Sequence, residues 1–257
     1  MGAAEPRLMA SLARINLTPV KGLALEHPAC VELGAAGVES NRRFYLTCGG
    51  LLYNGKDHGP LVAVHAEFAD GALSLRFPDG AEVAAEPALG AAVETNFWGR
   101  TVAGRLVQGP WAEALSSYTG EPIELVQADA VGAASDVCVG TIIGRGSCER
   151  LAEELSAPVD PRRFRMLFEL EGLAPHEEDS WSGRLVRVGE AVVSVGGPVP
   201  RCAITTQDPD TGTVSLDTLR AIGSYRGRRD GRWIDFGVYF DVAEPGLVRV
   251  GDRVEPL

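Results

Sequence analysis

One cysteine stands directly beside one arginine in the segment Pro200-Arg201-Cys202-Ala203-Ile204-Thr205-Thr206-Gln207-Asp208-Pro209-Asp210-Thr211-Gly212. An adjacent guanidinium favours thiolate over thiol, and thiolate is both a nucleophile and a soft-metal ligand. The segment follows an apolar run, Ala191-Val192-Val193-Ser194-Val195, and leads straight into a turn. Asp208 can open that turn, Pro209 supplies a fixed φ at its second position, and Gly212 permits a positive φ at its exit. Cys202 is therefore expected at a strand end, held by a rigid loop. Residue chemistry alone leaves two readings open, because a free cysteine also serves as a small core hydrophobe.

The surrounding composition narrows the partners. Lys and Arg number 24 against 35 Asp and Glu, a net charge of −11. Such a chain repels phosphate backbones, so nucleic acid is excluded as a partner. Two arginine clusters stand out of this acidic background, Arg162-Arg163-Phe164-Arg165 and Arg226, Arg228, Arg229 and Arg232. Each is either a solvated loop face or a site for a small anion, since guanidinium binds phosphate bidentately.

The five cysteines are odd in number and none has C-x-x-C spacing, so zinc and thioredoxin-like signatures are absent. Nothing in their spacing pairs Cys30, Cys48, Cys138 or Cys148. Cys48, in an aromatic strand, and Cys148, on an apolar helix face, are expected to be buried. No signal-peptide core and no apolar run of ~20 residues is visible, which points away from membranes and to the cytoplasm with reduced thiols. A dinucleotide fingerprint and iron–sulfur spacings are also missing, so any redox chemistry needs electrons from a separate donor protein.

The elements that must position Cys202 read as mainly β, a β-rich α+β chain with two β-barrel-like parts and three short helices. Strands are expected at Ala13–Leu17, Phe44–Cys48, Leu61–Phe68, Ala72–Phe77, near Val83, and at Ile123–Val126. Asp70-Gly71 and Asp79-Gly80 mark tight turns. A helix starting at Pro110-Trp111 carries Trp111, Leu115 and Tyr118 on one face and stops at Gly120. The small-residue stretch 128–140 divides residues 1–128, an N-terminal antiparallel barrel, from residues 129–257, a second barrel. Ser147 is placed to cap a helix bearing Cys148, Leu151 and Leu155. Strands at Phe164–Leu170, Arg184–Val188, Ala191–Val195, Phe236–Val242 and Leu247–Val250 follow, with a helix capped by Asp217 between them.

Several of these pieces, taken in order, resemble one family. Arg201-Cys202 with Thr205 through Gly212 resembles the signature of the MOSC domain, the molybdenum cofactor sulfurase C-terminal domain. Arg163-Phe164-Arg165, Glu178-Asp179-Ser180-Trp181, Phe236-Gly237-Val238-Tyr239 and Val248-Arg249-Val250-Gly251-Asp252 match its other segments. Pro19-Val20-Lys21 and Asn41-Arg42-Arg43-Phe44 are similar to the β-barrel domain that often precedes it. Chains of this architecture include the mitochondrial amidoxime-reducing component and its bacterial relatives. The resemblance implies a molybdenum-cofactor (molybdopterin) oxidoreductase that reduces N-hydroxylated small molecules. In it Cys202 would ligate the metal, Arg201 would assist at the catalytic thiolate, and Lys21, Arg43, Arg165 and Arg201 would hold the pterin or its phosphate.

Three positions depart from the reductase branch. Gly22 stands where a small hydroxyl residue is usual, Met166-Leu167 stand for Pro-Asn, and Pro200 stands where Ser is common. Three lost contacts of ~1 kcal/mol each would weaken cofactor binding by about two orders of magnitude. Two further readings therefore stand beside the reductase. One is a metal-free enzyme that uses Cys202 for persulfide transfer or nucleophilic catalysis, and the other is a non-catalytic barrel that binds a small molecule.

Overall fold

The structure is a computed structural model that describes residues 9–257. Seventeen strands follow in chain order: β1 (Ser11–Ile15), β2 (Cys30–Leu33), β3 (Phe44–Cys48), β4 (Leu51–Tyr53), β5 (His65–Ala69), β6 (Ala72–Arg76), β7 (Glu82–Ala85), β8 (Ala88–Phe97), β9 (Arg100–Gln108), β10 (Ile123–Ala128), β11 (Gly140–Gly144), β12 (Phe168–Glu171), β13 (Leu185–Val188), β14 (Ala191–Pro200), β15 (Asp235–Glu244), β16 (Gly246–Arg249) and β17 (Val254–Pro256). Three α-helices, α1 (Trp111–Thr119), α2 (Arg145–Leu155) and α3 (Thr218–Arg226), accompany them among the described residues.

Seven strands form one sheet in the order β1-β12-β11-β15-β14-β13-β17. The free side of β1 returns to the other edge. Leu12 N donates to Asp252 O at 2.8 Å, Gly251 N to Leu12 O at 2.7 Å, and Val254 N to Ala10 O at 2.9 Å. The sheet therefore wraps into a nearly closed barrel, which removes its exposed edges. Its interior is an apolar core of Leu12, Ile15, Phe168, Leu170, Val193 and Phe240, among others. Only β11 and β12 run parallel, and α2 makes the crossover that a parallel pair requires.

The strands of the other part pair antiparallel, with one isolated parallel bridge between Val20 and Phe44. A five-stranded sheet, β4-β3-β10-β9-β8, and a three-stranded meander, β5-β6-β7, share one core with α1. Helix α1 is fixed as its sequence suggested. Trp111 and Leu115 are fully buried, the Trp111 indole N–H donates to Leu73 O at 3.1 Å, and Gly120 closes the helix in the left-handed region. The two parts are interlaced rather than strung end to end. β1 belongs to the seven-stranded sheet and β2 pairs with β16, although both precede residue 129.

Several elements differ from the sequence reading. Residues 59–63 form a 3₁₀ turn, not the start of a strand, because Pro60 fixes φ in its first turn; the strand begins at His65. Residues 161–164 do the same behind Pro161, and Arg165 turns left-handed at φ 52°, so the strand expected from Phe164 begins only at Phe168. Ser147 does not cap α2. It lies inside the helix and gives its hydroxyl to Glu178 at 2.7 Å. Cys48 is only half-buried, as the last residue of β3, whereas Cys148 is buried. The long hairpin β8–β9 escaped notice because most of its residues are exposed and carry little apolar alternation.

Candidate functional site

Strand β14 ends at Pro200, where Arg201 N still donates to Ile234 O at 2.7 Å. Cys202 then opens a single 3₁₀ turn. Its carbonyl accepts from Thr205 N at 3.2 Å and from Thr205 Oγ1 at 3.1 Å. That hydroxyl also meets Thr218 Oγ1 at 2.8 Å, at the start of α3. The Cys202 side chain is exposed, which removes the core reading for it.

The loop beyond Cys202 is pinned from both parts of the chain. Asp208 Oδ1 accepts from Asp210 N, Thr211 N and Thr211 Oγ1 and makes the expected turn. Arg163, almost fully buried, donates to Gln207 O at 2.5 Å, Thr206 O at 3.3 Å and Ser215 Oγ at 2.8 Å. Gln207 Nε2 reaches back to Gly55 O at 2.8 Å. Gly212 has φ 73°, and a Cβ there would stand 2.0 Å from Gly59 O, so only glycine fits.

Four cations gather beside this loop around one carboxylate that sequence reasoning missed, Asp136. Lys21 Nζ binds Asp136 Oδ1 at 2.5 Å and Ala134 O at 2.9 Å. Arg42 Nη1 lies 3.8 Å from Asp136 Oδ2, and its Nη2 donates to Arg165 O at 3.4 Å. Arg165 donates to Leu23 O at 2.6 Å. Arg201 donates to Phe236 O at 2.8 Å and Phe164 O at 3.1 Å, and its guanidinium lies over the Phe164 ring at 5.3 Å. Arg43 points elsewhere, giving Nη1 to Ala128 O at 2.8 Å; its neighbour Arg42 supplies the charge in the cluster.

The electrostatics follow from this crowding. Burial pulls the Lys21 ammonium down to about 8, against the opposing attraction of Asp136. Burial also lowers Arg165 to about 10, with Arg42 adding to the effect, and Arg201 to about 10. Both guanidiniums stay charged at neutral pH. Burial alone would raise Asp136, but Lys21 and Arg42 outweigh it and hold the carboxyl at about 2. The Tyr239 phenol is pushed up to about 12 by burial and by Asp136. Tyr239, Cys202 and Asp136 each oppose part of the effect of burial on Arg201.

The positions flagged as departures have local explanations. Gly22 has φ 97°, a backbone that a hydroxyl residue would strain. The Leu167 side chain is buried in the barrel core, where an amide would find no place; it does not face the cations. Pro200 is the last residue of β14, where a missing N–H is tolerated. Three of the arginines on and after α3 are taken by local partners. Arg226 pairs with Asp179 at 2.7 Å, Arg229 with Asp235 at 2.7 Å, and Arg232 stacks on Trp233 at 4.0 Å. Arg162 is likewise taken by Asp160 and Asp210, both at 2.7 Å.

Arg42 and Tyr239 had partial signals in the sequence, and Asp136 had only its place in a stretch of small residues. Arg42 adjoins Arg43, Tyr239 lies in a family-like segment, and Asp136 is one of two acids in the small-residue stretch 128–140. Among the described residues no three His, Cys, Asp or Glu side chains group as a metal site. No helix among them is long and apolar enough to cross a membrane.

The MOSC domain family model matches residues 134–255. Mitochondrial amidoxime-reducing component 1 of Xenopus laevis is 24% identical over 95% of this chain and 81% of its own length. Mitochondrial amidoxime reducing component 2 of Homo sapiens is 25% identical over 95% of the chain and 82% of its own. Among solved structures, the YUAD protein of Bacillus subtilis is 11% identical, with coverage of 97% and 96% and a TM-score of 0.49. Residues 134–255 thus carry a MOSC domain, and over most of its length the chain is homologous to the mitochondrial amidoxime-reducing components.

Proposed function

We propose that this protein is a molybdenum-cofactor-dependent reductase of N-hydroxylated small molecules. The observation that carries the reading is the convergence of Lys21, Arg42, Arg165 and Arg201 around one carboxylate, beside the exposed thiol of Cys202, in a chain of net charge −11. Four buried or half-buried cations with one carboxylate between them leave positive charge in excess. That donor set fits an anionic cofactor. The names of the homologues fit the reaction class.

Lys21, Arg42 and Arg165 would hold the phosphate of the pterin cofactor, Arg201 would brace the start of the loop through Phe236 O and Phe164 O, and Cys202 Sγ would ligate molybdenum. When bound, the metal supplies two-electron reduction of an N–O bond with release of water. The protein keeps the thiol exposed, fixes the loop through Arg163 and Gln207, and keeps its arginines charged at neutral pH. Arg43 acts through Ala128 O, as a support for the end of β10. The electrons come from a separate donor protein. A free thiol at the site suits a reducing compartment, so the proposal places the protein in the cytoplasm.

The test is the metal and pterin content of the chain purified from a host that makes the cofactor, beside Cys202→Ser. Molybdenum and pterin in the parent, with molybdenum lost from the variant at unchanged melting temperature, are expected. A parent protein free of both would overturn the reading. A labile sulfur on Cys202, found by mass spectrometry of that same metal-free protein, would replace it with persulfide transfer.

A further inference from the structure

Among the described residues, three hairpins between the numbered strands turn on two residues that both have positive φ. They are Gly49-Gly50 (58° and 76°), Asp70-Gly71 (52° and 80°) and Trp98-Gly99 (52° and 94°). This turn selects Gly, Asn or Asp at its first position, because their backbones tolerate the left-handed region. The first two hairpins obey that rule. The third places the largest side chain there, where it is strained.

Packing does not account for it. Trp98 is 58% exposed. Its neighbours belong to the site instead. Lys21 Nζ, the ammonium that binds Asp136, lies 5.4 Å from the indole centre, and Lys56 Nζ lies 6.0 Å away. The Phe97 ring meets it edge-on at 5.8 Å. A strained turn thus carries a more than half-exposed indole to the rim of the cation cluster.

We infer that Trp98 is a stacking platform for the planar conjugated ring of a ligand at the Lys21–Arg42–Arg165 cluster. This rests on the anion-binding reading proposed above. An indole face is broad and rigid, and it binds flat π systems without demanding a hydrogen-bond pattern. Two ligands share that chemistry, the pterin of a phosphate-bearing cofactor and an aromatic N-hydroxylated substrate.

The test uses the full chain, purified from a host that does not make the cofactor, with Trp98→Asn and Trp98→Phe. Calorimetric titration with inorganic phosphate, with a hydroxymethylpterin phosphate and with benzamidoxime separates the contributions. Inorganic phosphate is expected to bind parent and Trp98→Asn alike. At least one of the two ring-bearing probes should lose about tenfold in affinity in Trp98→Asn and keep most of it in Trp98→Phe. A loss with the pterin phosphate assigns the platform to the cofactor, and a loss with benzamidoxime alone assigns it to the substrate. Trp98→Asn should also melt no lower than the parent, and a gain of about 2–4 °C is expected from the relaxed turn. Unchanged affinity for both ring-bearing probes, or a lower melting temperature in Trp98→Asn, overturns the inference. Failure of inorganic phosphate to bind the parent would instead overturn the anion site itself.

Discussion

The Lys21 ammonium and the Asp136 carboxylate meet at 2.5 Å although 115 residues separate them in the chain. The pair joins the segment before β2 to the segment that enters β11. It also sets the charge state of the whole cluster, because Arg42 and Arg201 act on the same carboxylate.

Replacing that carboxylate tests its structural share. Asp136→Asn should lower stability by about 1 kcal/mol, a modest figure because the Asp136 side chain is 43% exposed and screened by water. The carboxyl is held at about 2 against an ordinary 3.8, so its contribution is fully present above pH 3.8 and is lost as pH falls toward 2. Denaturant titrations of parent and variant should therefore differ near neutrality and converge in acid. A constant difference down to pH 2 would contradict the pairing.

Lys21 produces opposite trends in binding and stability at alkaline pH. Its folded value is about 8 against an ordinary 10.5. As pH rises through 8 the folded protein loses this charge, and affinity for inorganic phosphate should fall. Across the same window, from about 8 to 10.5, the unfolded chain holds more protons at this position, so the group makes stability rise with pH. Isothermal titration at several pH values, with Lys21→Arg as the permanently charged comparison, checks the first trend. Subtracting the Lys21→Met stability profile from that of the parent isolates the second.

The contact of Gly212 with Gly59 predicts a sharp intolerance. Gly212→Ala adds a Cβ 2.0 Å from Gly59 O and forces a side chain onto φ 73°. The expected cost is roughly 2–4 kcal/mol, with the Cys202 loop released from the first part of the chain. Thermal melting gives the first number. Faster labelling of Cys202 by a thiol reagent, compared with Cys30 in the same molecule, reports the second.

Leu167→Asn restores the residue type that the reductase branch carries and should do harm. The side chain lies in the barrel core with Phe168 and Leu170, while the polar partners of this residue are met by its backbone: its N–H donates to Thr141 Oγ1 at 3.0 Å and its carbonyl accepts from Asn16 N at 2.8 Å. Burying an amide there without hydrogen bonds is expected to cost about 2–4 kcal/mol in urea denaturation. A neutral or stabilised variant with tighter phosphate binding would mean that position 167 faces the cations after all.

The sequence by itself determined the local conformations and the chemistry of the central segment. Asp208-Pro209 and Gly212 allow little but a tight loop, and Arg201-Cys202 fixes a thiol beside a charge whatever the fold. Trp111, Leu115 and Gly120 specify a helix and its end, and Asp70-Gly71 a hairpin, because these effects act within a few residues. The family resemblance was legible for the same reason, since its motifs are short and contiguous. Tertiary structure alone decided which charges share a site. Arg42 and Arg43 are adjacent, yet the left-handed backbone at Arg42 sends one guanidinium toward Asp136 and the other to Ala128 O. Arg162, Arg163 and Arg165 look alike in sequence, but a 3₁₀ turn gives them three different destinations. Asp136 carried no local sign of its role, because its charge is set by Lys21, Arg42 and Arg201, residues brought together only when β1 and β2 fold back onto the second half of the chain.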